Sequence, residues 1–192
     1  MDSRVIALSM IWFLLNTAGY GATFFLPQIV KGLGLSNLMT AFASAIPYLV
    51  GMIGLAVWGW STDRSHERRW HLIVASLTFC VGLAAAGALG SSFWGLAAMS
   101  LAVVGMYGTR PPFWPLPSTF LSGAAAAGGI ALINSIGNLG GYVGPFVVGW
   151  IKDSTNSFEM ALFFLAACSF ASGAIAFFGN RACNAVVVAP AE

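Results

Sequence analysis

Residues 5–30 read VIALSMIWFLLNTAGYGATFFLPQIV, a run that contains no Asp, Glu, Lys or Arg. Four further stretches are equally free of charge, at 32–62, 70–109, 111–151 and 160–180. About 20 mostly apolar residues suffice for a helix to cross a bilayer, so each stretch holds at least one helix, and the third and fourth have room for part or all of two. Charged residues make up 7% of the chain, against about 25% in soluble domains, so the sequence predicts an integral membrane protein.

Polar and glycine-rich breaks between these stretches predict where the helices end. We expect an all-α, integral-membrane bundle of six transmembrane helices, forming a single domain over 1–192 with a short cytoplasmic tail at 181–192. Because every connection is short, consecutive helices should run antiparallel. The predicted helices lie near 5–29, 39–60, 71–89, 93–117, 125–151 and 159–179.

Lysine and arginine are unevenly divided between the two ends of this bundle. If the loop after the second helix is cytoplasmic, six crossings return both termini to that side. The cytoplasmic end then carries most of the basic residues, as the positive-inside rule requires, so both termini are predicted to be cytoplasmic. That end would hold Arg4, Arg64, Arg68, Arg69 and Arg181, and the opposite end only Lys31 and Lys152.

Two overlapping pairs of glycines lie in the fifth predicted helix, Gly137 with Gly141 and Gly140 with Gly144. A spacing of four brings both glycines of a pair to one helix face and lets a second backbone approach closely in lipid. The pattern is typical of a crowded helix contact rather than of a binding site.

The chain lacks the residue sets that enzymes and cofactor sites use. His66 and His71 have no Cys or carboxylate cluster suited to a metal, no serine lies in a nucleophile elbow, and no glycine loop carries a P-loop lysine. Cys80, Cys168 and Cys183 have no metal-ligand spacing and are interpreted as free thiols. A net charge of +2 is too small to indicate a nucleic-acid partner. We therefore expect no enzymatic activity, no cofactor and no metal.

Polar and aromatic side chains recur at helical spacing inside two of the predicted helices. An Asn in hydrocarbon is costly without a partner, so Asn134 and Asn138 should face a bundle interior or a wet cavity. Either these groups only bond the helices together, or they form a polar wall along a substrate path. The two stripes comprise Trp12, Asn16, Tyr20, Thr23 and Pro27 on the first helix, and Asn134, Asn138, Gly141 and Pro145 on the fifth.

The fourth predicted helix contains YGTRPPFWPLP at 107–117, with four prolines. Each proline lacks a donor and disturbs the preceding turn, and broken backbone at membrane depth is tolerated where it is buried or lines a cavity. If the helix continues past Arg110, that side chain is an intramembrane cation able to hold an anionic substrate. If the helix ends near Thr109, Arg110 is an anchor at the interface. Trp114, with a broad apolar face and one donor, is the better candidate for lining a cavity.

The loop after the second predicted helix reads GWSTDRSHERR at 59–69. A carboxylate and several guanidiniums at a hairpin can cap helix ends and pair across neighbouring helices, which latches one conformation. Ordinary positive-inside charge is the alternative interpretation. That alternative requires the arginines but neither Asp63 nor Gly59.

Gly59, Asp63-Arg64 and Arg68-Arg69 resemble the cytoplasmic loop signature between the second and third helices of each half of a major facilitator superfamily transporter. Other motifs resemble the anion:cation symporter branch, and within it bacterial tartrate and phthalate-type permeases. The likeness covers essentially residues 5–180. Its motifs are FLPQIVK at 25–31, SAIPY at 44–48, ERRWH at 67–71, PFW at 112–114, LPS at 116–118, IALINS at 130–135 and GNLGG at 137–141.

The resemblance implies helices seven to twelve of a twelve-helix transporter in the bacterial inner membrane, with the N-terminal six-helix half as a missing partner. Members of the branch take up organic anions, usually with protons, by rocking two halves around a midplane site. The missing half would carry the main anion-binding arginine and the titrating carboxylates. The alternative is a membrane remnant, or an assembly partner of a separate N-terminal half, that transports nothing itself.

The resemblance also assigns roles to residues of this chain. Trp114 and Asn134 would contact a small organic anion, with Asn16, Tyr20 and Asn138 nearby. Tyr107 and Arg110 complete the candidate substrate-binding set. The cytoplasmic gate would comprise Gly59, Asp63, Arg64, Arg68 and Arg69.

Overall fold

The computed structural model describes residues 2–179, and within that range the chain forms helices and turns without any strand. The expected tail at 181–192, with Arg181 and Cys183, lies outside the described residues. The helices are α1 (Ser3–Lys31), α2 (Asn37–Ser65), α3 (Arg68–Leu89), α4 (Phe93–Gly108), α5 (Arg110–Phe113), α6 (Gly123–Asn138), α7 (Gly140–Thr155) and α8 (Glu159–Phe178), with a 3-10 turn at Pro117–Thr119.

Five helical units are long and apolar enough to cross a membrane: α1, α2, α3, the continuous unit Gly123–Thr155 formed by α6 and α7, and α8. The sixth crossing is α4 continued by α5. Together these cover residues 93–113, about 31 Å of helix at 1.5 Å per residue. The all-α bundle of six crossings is therefore the architecture of this chain.

Two of the expected helices are interrupted in the structure. The expected helix at 93–117 stops its regular course at Gly108, resumes over Arg110–Phe113 and gives way to turns before Pro117. Proline is tolerated in the first turn of a helix, where Pro111 lies, but prolines further on remove donors that a regular helix needs. The expected helix at 125–151 is likewise divided between α6 and α7 at Leu139.

Helix α1 lies at the centre of the packing and contacts α6, α7 and α8, whereas α3 packs on α4 and α8, and α2 packs on α4. The expected close approach at the glycine pairs is confirmed. A Cβ built on Gly140 would lie 2.3 Å from the Phe13 carbonyl oxygen, and one on Gly144 would lie 2.2 Å from the Thr17 carbonyl oxygen. Only glycine allows the α1 and α7 backbones to come this close.

Candidate functional site

A cavity of about 130 Å³ opens between α1 and the junction of α4 with α5, closed on one side by Phe79 of α3. Helix α1 places one stripe of its surface here because residues three or four apart share a helix face. None of the residues lining the cavity is acidic. The polar and aromatic contributors are Trp12, Asn16, Tyr20 and Thr23 from α1, with Tyr107, Thr109 and Arg110 from the junction.

Arg110 supplies the positive charge of this cavity. The helix continues past it, because the Phe113 amide donates to the Thr109 carbonyl at 3.2 Å and the Trp114 amide donates to the Arg110 carbonyl at 3.2 Å. The guanidinium carbon lies 5.3 Å from the centre of the Tyr107 ring. The backbone is therefore helical on both sides of Arg110, and the place of this side chain in the membrane stays a prediction.

The position of Arg110 along α2 follows from the contact that its neighbour Pro111 makes with that helix. A Cβ built on Gly59 of α2 would touch the Pro111 ring at 3.8 Å. Gly59 precedes Ser65, the end of α2, by six residues, which corresponds to about 9 Å along the helix axis. Arg110 therefore begins a segment that lies beside the body of α2 rather than beyond its end.

Asn16 joins the cavity wall to the junction of α6 with α7. Its side-chain nitrogen donates to the Gly137 carbonyl at 3.1 Å and to the Asn138 side-chain oxygen at 3.4 Å. Both acceptors flank the point where α6 ends, so a polar residue of α1 bonds an interrupted helix at membrane depth. Asn16 therefore bonds two helices together, which was the first interpretation of the polar stripes. Because Asn16 also lines the cavity, it fits the second interpretation, a polar wall along a substrate path, as well.

Trp12 lines this cavity, and Trp114 is not among its lining residues. Trp114 packs behind Trp12 with its ring edge-on at 4.9 Å, and Phe113 stacks on Trp12 at 4.8 Å. The break in the helix turns Trp114 into this aromatic cluster. Trp12 is 5% exposed, and its indole N–H, although buried, has no hydrogen-bond partner within residues 2–179.

Asn134 and Asn138 lie on the exposed face of α6 rather than inside this bundle. Asn138 is reached by Asn16, whereas the Asn134 side chain makes no hydrogen bond to any other part of residues 2–179. A second, more open cavity of about 390 Å³ continues the same face between α1 and α7. It is lined by Tyr20, Thr23, Phe24, Gly141, Tyr142, Pro145 and Phe146. The polar face formed by Tyr20, Asn134 and Asn138 is thus not covered by any other part of residues 2–179.

The residues expected to form the gate lie at the α2–α3 loop but are not joined to one another. Asp63 and Arg64 are exposed, and the one ion pair formed within the described range is between Arg4 and Asp2. Arg69 instead caps α8, with its Nε donating to the Ala176 carbonyl at 3.3 Å and an NH2 group donating to the Phe177 carbonyl. A cation at a helix C-terminus satisfies free carbonyls and the helix dipole, so Arg69 fastens α3 to α8.

Known proteins share both the sequence pattern and the fold of this bundle. The sequence profile of the Major Facilitator Superfamily matches residues 2–145. The chain belongs to this superfamily. The structure of the E. coli fucose:proton symporter superimposes on it with a TM-score of 0.83, over 93% of this chain and 43% of the symporter, at 18% sequence identity. The bundle is therefore one half of a major facilitator fold.

Relatives in sequence are transporters of the same superfamily, not enzymes. A protein of Agrobacterium vitis named as a tartrate transporter is 46% identical, over 86% of this chain and 38% of its own length. A quinolone resistance transporter of Acinetobacter baumannii is 41% identical, over 86% of this chain and 38% of its own length. The chain thus spans less than half the length of these relatives. Among residues 2–179, no group of three or more His, Cys, Asp or Glu side chains could hold a metal ion.

Proposed function

We propose that this chain is the C-terminal half of a transporter for a small organic anion, such as tartrate or another carboxylate or sugar acid. The observation that carries the proposal is the cavity in which Arg110 is the charged group and no acidic residue is present. A cation in a cavity without acidic residues favours an anion. The tartrate transporter of A. vitis, at 46% identity, supports a carboxylate as the substrate.

The proposed substrate contacts divide into two groups. Arg110, Tyr107, Asn16 and Tyr20 line one cavity, which supports their action as a unit on a single anion. Asn134 and Asn138 are exposed on the face that continues this wall, and we infer that they meet substrate only when a second half closes over them. Trp114, which packs against Trp12, remains a proposed substrate contact.

Uptake would occur in the bacterial inner membrane by alternating access, with both termini cytoplasmic and with a proton as the coupling ion. The cavity in this half offers no carboxylate to carry that proton. The titrating groups of the proposed mechanism would therefore belong to the N-terminal half. Asp63, exposed and without an ion-pair partner in the described structure, would find its gate partner there as well.

The test joins this chain to the N-terminal half of the A. vitis tartrate transporter and measures uptake of radiolabelled tartrate by cells. Arg110→Gln should reduce uptake by about tenfold or more, since charge-assisted hydrogen bonds contribute about 1.5–3 kcal/mol. Arg4→Gln is the matched control. It removes the same charge from a residue paired with Asp2 and outside the cavity, and it should leave uptake unchanged. A folded fusion that takes up none of a panel of dicarboxylates and sugar acids would count against the proposal.

The exposed polar wall also favours a second candidate, in which the chain is an assembly partner that transports nothing itself. Tyr20 is 50% exposed, and Asn134 and Asn138 are exposed beside it. Polar side chains facing lipid are costly, so this face should be covered by another membrane protein. Co-purification of a six-helix protein with the chain, and no uptake by the resulting complex, would favour this candidate.

A further inference from the structure

A third cavity, of about 340 Å³, lies between α2 and α3 next to the loop that joins them. It shares no lining residue with the cavity that contains Arg110. Its walls are apolar where Val57, Trp58, Trp70 and Val74 face it, and polar where Ser61 and His71 face it. The proposed transport function uses none of these side chains.

The polar end of this cavity is held in place by hydrogen bonds. The Trp58 indole N–H donates to the His71 carbonyl at 3.2 Å, and the Ser61 hydroxyl lies 2.9 Å from His71 Nε2. His71 Nδ1 contacts the Glu67 carbonyl, so both ring nitrogens of His71 have polar partners. These hydrogen bonds join α2 to α3 at the polar end of the cavity.

Two arginines extend the polar end toward the loop. Arg64 follows Ser61 by three residues on α2, and Arg68 precedes His71 by three residues on α3, so each shares a helix face with a polar residue of the cavity. Neither has a carboxylate partner within residues 2–179, and the Arg64 guanidinium lies 5.4 Å from the Trp60 ring centre. Asp63 near the end of α2 and Glu67 just before α3 are exposed carboxylates beside these two arginines, and neither forms an ion pair with them.

The order of chemistry along the cavity matches one class of molecule. The lining itself offers a hydroxyl and an imidazole, then two indoles, and finally the side chains of Val57 and Val74. Arg64 and Arg68 are not part of the lining and lie one helical turn nearer the loop on the same two helices. Tryptophans of this kind mark the membrane–water interface, and basic pockets between membrane helices bind anionic lipid headgroups. Three apolar side chains of the lining, Val57, Trp70 and Val74, are exposed.

We propose that the α2–α3 cavity binds one anionic phospholipid. Its phosphate lies between Arg64 and Arg68, its glycerol ester region lies beside Ser61, and the start of an acyl chain occupies the space between Val57 and Val74. Arg69 takes no part, because its guanidinium bonds the end of α8. The lipid joins two helices that otherwise touch little, since α2 packs mainly on α4, and α3 on α4 and α8.

The test is native mass spectrometry of the 192-residue chain in detergent, titrated with palmitoyl-oleoyl phosphatidylglycerol and, separately, with the matching phosphatidylcholine. One phosphatidylglycerol should bind with clear preference. The double variant Arg64→Gln/Arg68→Gln should weaken its binding by about 30-fold, the loss expected for two basic residues near an anionic surface. The control Lys31→Gln/Lys152→Gln removes the same charge elsewhere and should leave binding unchanged.

Two further measurements distinguish a lipid site from a free-phosphate site and from diffuse charge attraction. Val74→Trp fills the apolar part of the cavity and keeps every arginine, so it should also weaken phosphatidylglycerol binding. Millimolar glycerol phosphate should not displace the lipid, because the headgroup alone lacks the acyl contact. Equal loss in the arginine and lysine variants would overturn the proposal in favour of diffuse charge attraction. Full displacement by glycerol phosphate, or binding unaffected by Val74→Trp, would reduce the site to a phosphate site without a lipid.

Discussion

Replacing Gly144 by alanine tests the close backbone contact between α1 and α7. The Cβ added by the substitution would lie 2.2 Å from the Thr17 carbonyl oxygen and 3.1 Å from the Gly21 amide nitrogen. Both are backbone atoms of α1, so no side-chain rotation can relieve the clash. Ordinary contact begins at 3.4 Å, and α1 and α7 must therefore separate by about 1.2 Å.

The magnitude follows from the cost of overpacking. Forcing one methyl group into a filled site costs about 1–3 kcal/mol. Alanine also loses less conformational entropy on folding than glycine does, and in a helix this difference stabilises the folded state by about 0.5–1 kcal/mol. The net loss is up to about 2.5 kcal/mol, and at roughly 2–4 °C per kcal/mol the midpoint of thermal unfolding should fall by up to about 10 °C.

The assay is thermal unfolding of the purified chain in detergent, followed by near-ultraviolet circular dichroism. Gly128→Ala on α6 is the control, because a Cβ there meets no atom within 4 Å. The control should gain stability from helix propensity while Gly144→Ala loses it, so the two variants should move in opposite directions. If both variants unfold at the same or a higher temperature than the original chain, the α1–α7 contact is not the rigid contact described above.

Two other outcomes are expected. Asn16→Leu leaves the Gly137 carbonyl and the Asn138 side chain without their donor. In a detergent denaturation series it should lower the free energy of unfolding by about 0.6–1.7 kcal/mol. An unchanged free energy of unfolding would mean that these hydrogen bonds contribute nothing. The hydrogen bond from the Arg4 side chain holds the pKa of Asp2 below its usual value, so its stabilisation is present at neutral pH and is lost as pH falls through the lowered pKa. A carboxyl NMR titration should show this shift, and Arg4→Gln should return the pKa toward normal.

The membrane architecture was predictable because it depends on the combined hydropathy of many residues in each stretch. No single position decides whether 5–30 crosses a bilayer, since the absence of charge over the whole run does so. The motifs around Gly59 and Gly137 were specific enough to identify the superfamily, which its sequence profile confirms. The glycine pairs predicted a close backbone approach, and the α1–α7 contact confirms it.

The arrangement of the site depended on geometry that the sequence does not contain. The stripe on α1 correctly grouped Trp12, Asn16 and Tyr20, because a regular helix maps spacing directly onto a face. Trp114 follows a run of prolines, where no fixed spacing applies, and it turned behind Trp12. The surroundings of Asn134 could not be deduced either, since the surface that it faces is not formed by the described residues.

The central position of α1 has a consequence for biosynthesis. Within this chain α1 is synthesised before its main partners α6, α7 and α8, the first of which begins at Gly123. At about 5–20 residues per second, α1 waits roughly 5–20 s before those partners exist. Its polar groups at Asn16 and Thr17 must remain shielded by the insertion machinery or by α2 during that interval. We therefore expect this helix to leave the translocon late, and a nascent chain stalled before Gly123 to keep α1 cross-linkable to it.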